Sequence, residues 1–122
     1  MTAGRTAVDS AREAAIDRVT TYVKEHPEAA HTHQDLADLA AMNMRTFSQV
    51  FAAVTGMGVK AFVRATRVAH AKHLLDETDL SVAQVMRRSG FVSTDAGRRA
   101  FLCEEQIAPM HYRGKLRDLA DA

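Results

Sequence analysis

The chain repeats itself. Laid over itself at an offset of 49, and of 50 beyond one extra residue at Val92, it matches caps, turns and apolar positions over about thirty residues. Thr32 meets Ser81, Leu36 meets Val85, Met42 meets Phe91 and Asn43 meets Ser93. Val50, Phe51, Met57 and Phe62 meet Ala100, Phe101, Ile107 and Tyr112. A length of 122 residues suits one ordinary domain or two very small ones. The repeat favours two.

Both copies read as helix. Strand-like alternation is absent, and apolar residues recur at helical spacing. Ile16, Val19 and Val23 mark a first helix that stops before Pro27. Thr32 with Asp35 resembles a capping box opening a second helix, which is expected to bury Leu36, Leu39 and Ala40. Asn43 caps a third with Phe47, Val50, Phe51 and Val54 along one stripe, and Gly56 and Gly58 break it. A long helix follows from Val59. Ser81 and Ser93 then cap two more, and Ala108–Pro109 opens a last one, since proline suits the first helical turn. The expectation is an all-α chain of about seven helices: two helix-turn-helix subdomains joined by a long linker helix. The boundaries are 1–12 for an N-terminal tail or helix start, 13–58 for the first subdomain and 59–77 for the linker. The second subdomain takes 78–117 and a C-terminal tail 118–122.

Charge is segregated although the net formal charge is only +1. Residues 43–75 hold Arg45, Lys60, Arg64, Arg67 and Lys72 with no acid, and 81–117 hold seven basic residues against three acidic. Asp76, Glu77 and Asp79 separate these two blocks, which suit a polyanion. The one cysteine, Cys103, excludes a disulfide framework and a cysteine-based zinc site. It reads as a small residue near a helix surface. His31 with His33, and His70 with His73, lack a completing carboxylate or cysteine at ligand spacing, so no metal is expected. No nucleophile–base pair, glycine-rich phosphate loop or paired-carboxylate signature is present, which argues against an enzyme and against a cofactor. No apolar stretch reads as a signal peptide or membrane span, and the expected compartment is the cytoplasm.

The first unit reads DLADLAAMNMRTFSQVFAAVTGMGVKAFVRATRVAHAKHLL. With Arg45, Phe51, Thr55, Gly56, Phe62, Arg67, Ala71, Leu74 and Leu75 it resembles the AraC/XylS-type DNA-binding domain. The second unit continues the resemblance through Val82, Gly90, Phe91, Ser93, Arg99, Phe101, Pro109, Tyr112 and Arg113. The likeness implies a sequence-specific transcription regulator of bacterial type, or its DNA-binding module. Double-stranded DNA would be its partner, and RNA polymerase a second.

A helix-turn-helix offers the start of its second helix to base edges in the major groove. In the first unit the positions facing away from the apolar stripe are Met44, Arg45, Ser48 and Gln49. Arg45 suits guanine and Gln49 adenine. In the second they are Thr94, Asp95, Arg98 and Arg99, with Asp95 repelling phosphate unless it accepts from cytosine. Expected phosphate contacts are Thr32 and Ser81 at helix starts, Lys60, and Arg113. The linker, about eighteen residues at roughly 1.5 Å each, spans about 27 Å, near the ~34 Å between successive major-groove faces. One molecule would then read an asymmetric site without dimerising. Arg67 reads instead as the structural partner of a nearby acid, and Arg87 and Arg88 as solvated.

The second unit departs from the resemblance at Gly97, at Glu105 and Gln106, and at Ala108, and its Glu104 faces Val54 of the first. Glycine inside a helix costs roughly 1 kcal/mol relative to alanine, and a missing core side chain costs more. The expectation is a degenerate, looser second recognition helix, which a Gly97→Leu change would stabilise. That departure, with the near-neutral net charge, sustains a rival of another class. It is a protein-interaction module derived from the same fold, binding a sigma factor, a polymerase subunit or another regulator.

Overall fold

The computed structural model describes residues 6–121, in which seven α-helices follow one another and no strand occurs. They are α1 (Ala7–Glu25), α2 (His33–Leu39), α3 (Met44–Thr55), α4 (Val59–Glu77), α5 (Val82–Arg88), α6 (Thr94–Glu105) and α7 (Pro109–Asp121). The all-α expectation holds. The first five residues of the 1–12 segment and Ala122 of the tail lie outside the described residues, and α7 occupies the rest of that tail. The chain divides into two units. One runs to His26 and resumes over His31–Val63; the other takes Pro27–Ala30 and everything from Arg64. Helix α4 therefore lends its first turn to one unit and its remainder to the other.

In the first unit α1 starts on a capping box: Thr6 Oγ1 accepts from the Asp9 amide at 3.0 Å, and the Thr6 amide donates to the Asp9 carboxylate at 3.3 Å. It buries Ala15, Ile16, Val19 and Val23 against Leu36, Ala37, Phe47, Val50, Phe51, Val59 and Val63. Leu39 departs from its expectation. It is 38% exposed, and Ala37 is buried instead. In so short a helix, Leu36, Ala37 and Ala40 already make a stripe that leaves Leu39 at its edge. Asn43 Oδ1 accepts from the Thr46 amide at 2.8 Å to start α3, and Gly56 ends it at φ 78°.

The second unit is built on the same backbone plan. In the first turn the Ala41 amide donates to Asp38 O and the Met42 amide to Ala37 O; in the second, Gly90 donates to Arg87 O and Phe91 to Met86 O. Ala41 and Gly90 are both left-handed, at φ 57° and 93°, and Gln106 repeats Gly56 at φ 60°. The edge-on pair Phe51–Phe62, 5.5 Å apart, recurs as Phe101–Tyr112 at 5.4 Å. Gly90 admits no side chain: a Cβ there would meet Pro27 O, and Arg67 Nε at 2.7 Å.

The expectation of a hollow second unit is overturned. Helix α6 is twelve residues long, with Gly97 buried. A Cβ on Gly97 would stand 2.5 Å from the Met86 sulfur and 2.9 Å from its Cβ, and Met86 is fully buried. The volume absent from α6 comes from α5. Where the first unit pairs Ala37 with Phe47, the second pairs Met86 with Gly97, and large and small have changed places. Glu104 and Glu105 are not vacant core positions either. They bind Arg64 at 2.9 Å and Lys72 at 2.8 Å on α4. Each such partly exposed pair is worth about 0.2–1 kcal/mol.

Candidate nucleic-acid interface

The basic residues fall into two groups. Arg67 donates from Nε to Pro27 O at 3.1 Å and from a terminal nitrogen to Ala29 O at 2.8 Å. Its partners are backbone carbonyls, not the acid expected from the sequence, and burial lowers its pKa from the ordinary arginine value. Arg64 and Lys72 are paired with α6, and Arg117 with Asp79 at 2.6 Å. Of the five cations in 43–75, Arg45 and Lys60 have no partner among the described residues.

Arg113 belongs to the committed group. It is 9% exposed, and it donates from Nε to Leu75 O at 3.1 Å and from a terminal nitrogen to Thr78 O at 3.2 Å. The expected phosphate contact is therefore corrected to a structural one. A guanidinium is suited to this because its fork satisfies two of the carbonyls that a helix end leaves unpaired.

The first turns of α3 and α6 carry the remaining candidates. Met44, Arg45, Ser48 and Gln49 occupy about 140° of arc at 100° per residue, away from the buried Phe47, Val50 and Phe51. Met44, Arg45 and Gln49 are exposed, whereas Ser48 is half-buried and its Oγ lies 2.7 Å from His33 Nε2. On α6 the same arc holds Thr94, half-buried, with Asp95, Arg98 and Arg99 exposed. Among the described residues nothing holds Arg45, Gln49, Asp95, Arg98 or Arg99 in a hydrogen bond or ion pair. Asp95 lies in the first turn, where a negative charge meets the positive end of the helix dipole.

The helix starts at Thr32 and Ser81 are capped differently. Thr32 Oγ1 accepts from the Asp35 amide at 3.0 Å. At Ser81 the box is complete: Oγ accepts from the Gln84 amide at 3.2 Å, and the Ser81 amide donates to the Gln84 side chain at 3.0 Å. That amide is already engaged. Lys60 projects from the first turn of α4, exposed. Arg87 and Arg88 are exposed, as is Cys103.

The histidines have other roles. His31 Nε2 lies 2.6 Å from the His26 carbonyl, and His70 Nδ1 lies 3.3 Å from the buried Ser89 hydroxyl. Among the described residues no group of three or more His, Cys, Asp or Glu is placed to hold a metal ion, and no single helix is long and apolar enough to cross a membrane.

Comparison with known proteins agrees with this geometry. A family profile described as a helix-turn-helix domain matches residues 36–115. The chain belongs to the AraC-type helix-turn-helix family. Among its AraC-type relatives, the transcriptional activator RhaR of Enterobacter sp. (strain 638) is 28% identical over 109 residues, covering 89% of this chain and 39% of RhaR. A helix-turn-helix transcriptional regulator of Mycobacterium tuberculosis is 34% identical over 84 residues, 69% of this chain and 32% of that protein. The chain thus spans about a third to two-fifths of the length of these curated relatives. The DNA-binding domain of AdpA, a global transcriptional factor solved with a target DNA, is 32% identical, with a TM-score of 0.83 over 85% of this chain and 94% of that one. A Chromobacterium violaceum regulator with an AraC-type DNA-binding domain shares the fold at 18% identity and a TM-score of 0.80, over 88% and 96% of the two chains.

Sequence reasoning missed His33 as the partner of Ser48, and Met86 as the filler of the Gly97 site. The second was legible in the repeat, since Ala37 opposite Met86 mirrors Phe47 opposite Gly97. The first carried no signal, because fifteen residues separate the two groups.

Proposed function

We propose that this AraC-type chain binds duplex DNA as a single molecule and reads a specific, asymmetric site as part of transcription regulation. Helix α3 would enter one major-groove segment through Met44, Arg45, Ser48 and Gln49, and α6 the next through Thr94, Asp95, Arg98 and Arg99. Thr32, Lys60 and Ser81 would meet phosphates; Arg113 is left out. The observation that carries this reading is the set of unpartnered polar side chains, Arg45 and Gln49 on α3 with Arg98 and Arg99 on α6, at the helix starts a groove admits. Relatives named as regulators, and AdpA's domain bound to its target DNA, support it. RNA polymerase is the second partner this role implies, the cytoplasm its compartment, and no reaction is assigned.

The test is selection from a random duplex library, with anisotropy across a salt series. The reading expects affinity that falls steeply with salt and an enriched asymmetric site spanning two groove segments. A half-length site would remove base reading from α6. Absence of binding at low salt would instead support the protein-interaction module.

A further inference from the structure

We propose that His33 is a positioning residue: it orients the Ser48 hydroxyl and thereby sets base preference at one position of the DNA site. The inference rests on the reading of α3 as a base-reading helix. His33 opens α2, and its Nε2 reaches across to Ser48 Oγ at 2.7 Å. Its ring stands edge-on to Phe47, centroids 5.6 Å apart, and Phe47 is fully buried. The imidazole is thus braced by the core on one side and holds the hydroxyl on the other.

Such a contact changes what a serine can do. A hydroxyl has one hydrogen and two lone pairs, and in a free helical serine the hydrogen rotates or turns back to the carbonyl one turn earlier. Against an accepting Nε2, the Ser48 hydrogen is committed inward and the oxygen offers lone pairs to amino groups of adenine or cytosine. Against a donating Nε2–H, the hydrogen is released outward toward guanine or thymine acceptors. In either tautomer His33 takes up one of the hydroxyl's hydrogen-bonding positions: an accepting Nε2 leaves only lone pairs facing outward, and a donating Nε2–H leaves the hydrogen and one lone pair. Arg45 and Gln49 beside it have no such brace, and the second unit has none, because Val82 and Arg98 stand at the matching positions.

The experiment is library selection with the whole chain, its Ser48→Ala, His33→Phe, His33→Asn and His33→Gln variants, and Arg45→Ala as a reference, with Tm recorded for each. Phenylalanine keeps the ring against Phe47 and removes the nitrogen. Asparagine is polar but too short, and glutamine carries a polar atom at about the reach of Nε2. The expected result is a preference of roughly tenfold at one base pair, falling to about twofold in Ser48→Ala, His33→Phe and His33→Asn alike. His33→Gln retains most of it, and other positions keep their preferences. Flattening by Ser48→Ala but not by His33→Phe and His33→Asn would overturn the proposal while leaving the DNA reading intact. Even weakening across the whole site in the His33 variants would do the same, since a merely structural role predicts that. If Arg45→Ala alters the site and Ser48→Ala does not, this proposal fails and the DNA reading stands. No enriched site for the wild type would overturn both.

Discussion

Met86 occupies the space that a side chain on Gly97 would need, its sulfur 2.5 Å from the position of the missing Cβ. One residue of α5 thereby fills the space between α5 and α6 that Phe47 of α3 fills between α2 and α3 in the first unit. Gly97→Leu should lower stability by about 1–3 kcal/mol through overpacking, and Met86→Ala should lower it by about 2–5 kcal/mol by opening a cavity. The double variant should lose less than the sum, with a coupling of about 0.5–3 kcal/mol. Urea denaturation of the four proteins measures the cycle. An unfolding free energy raised by Gly97→Leu alone would show that the site is empty.

This exchange marks where the sequence was legible. The helices, their caps Asn43, Ser81 and Ser93, and the turn glycines Gly56 and Gly90 are local features, and each is visible within a few residues. Glu104 and Glu105 misread as decay because their partners Arg64 and Lys72 lie elsewhere in the chain and only the fold brings them together, whereas Gly97 misread although the repeat already set Met86 opposite Ala37. For the same reason the basic run 43–75 overstated the charge left for a ligand: Arg67 faces the carbonyls of Pro27 and Ala29. Exposed polar residues at the starts of α3 and α6 were legible because helical spacing alone sets which face they occupy.

Left-handed residues other than glycine give a second prediction. Ala41 and Gln106 sit at φ 57° and 60°, a conformation that costs an L-residue about 1–2 kcal/mol. Ala41→Gly should raise stability by about 0.5–1 kcal/mol once the extra freedom of glycine in the unfolded chain is counted. Gln106→Gly should gain less, because Gln106 Nε2 donates to Cys103 O at 2.9 Å and that bond would go. Thermal melts of the two variants should rank them in that order.

The pH dependence follows from His70. Burial holds its pKa below the ordinary 6.5, with Glu28 acting upward and His73 downward. The unfolded imidazole therefore takes a proton at a pH where the folded one does not. Stability is complete above about pH 6.5 and is lost as pH falls below it. Across about pH 7.5 to about pH 5.5, the wild-type Tm should drop more than that of His70→Gln, which cannot titrate but still offers Ser89 a polar partner. Equal slopes for the two proteins would exclude His70 as the source.

Arg113 and Lys60 separate fold from binding. If Arg113 serves the carbonyls of Leu75 and Thr78, Arg113→Gln should lower stability by about 1–3 kcal/mol, the cost of leaving buried acceptors unpaired. Well below its melting point, its affinity for the selected DNA should keep the wild-type salt dependence, because no phosphate contact has been lost. Lys60→Gln should do the reverse. Among the described residues its exposed side chain holds no partner, so stability should stay within about 0.5 kcal/mol of wild type. Its loss should weaken binding evenly across sequences and reduce the slope of log affinity against log salt by about 1. Anisotropy titrations at several salt concentrations, paired with thermal melts, read both quantities on both variants. A slope reduced by Arg113→Gln would return that residue to the DNA interface, and an unchanged slope for Lys60→Gln would remove the start of α4 from it.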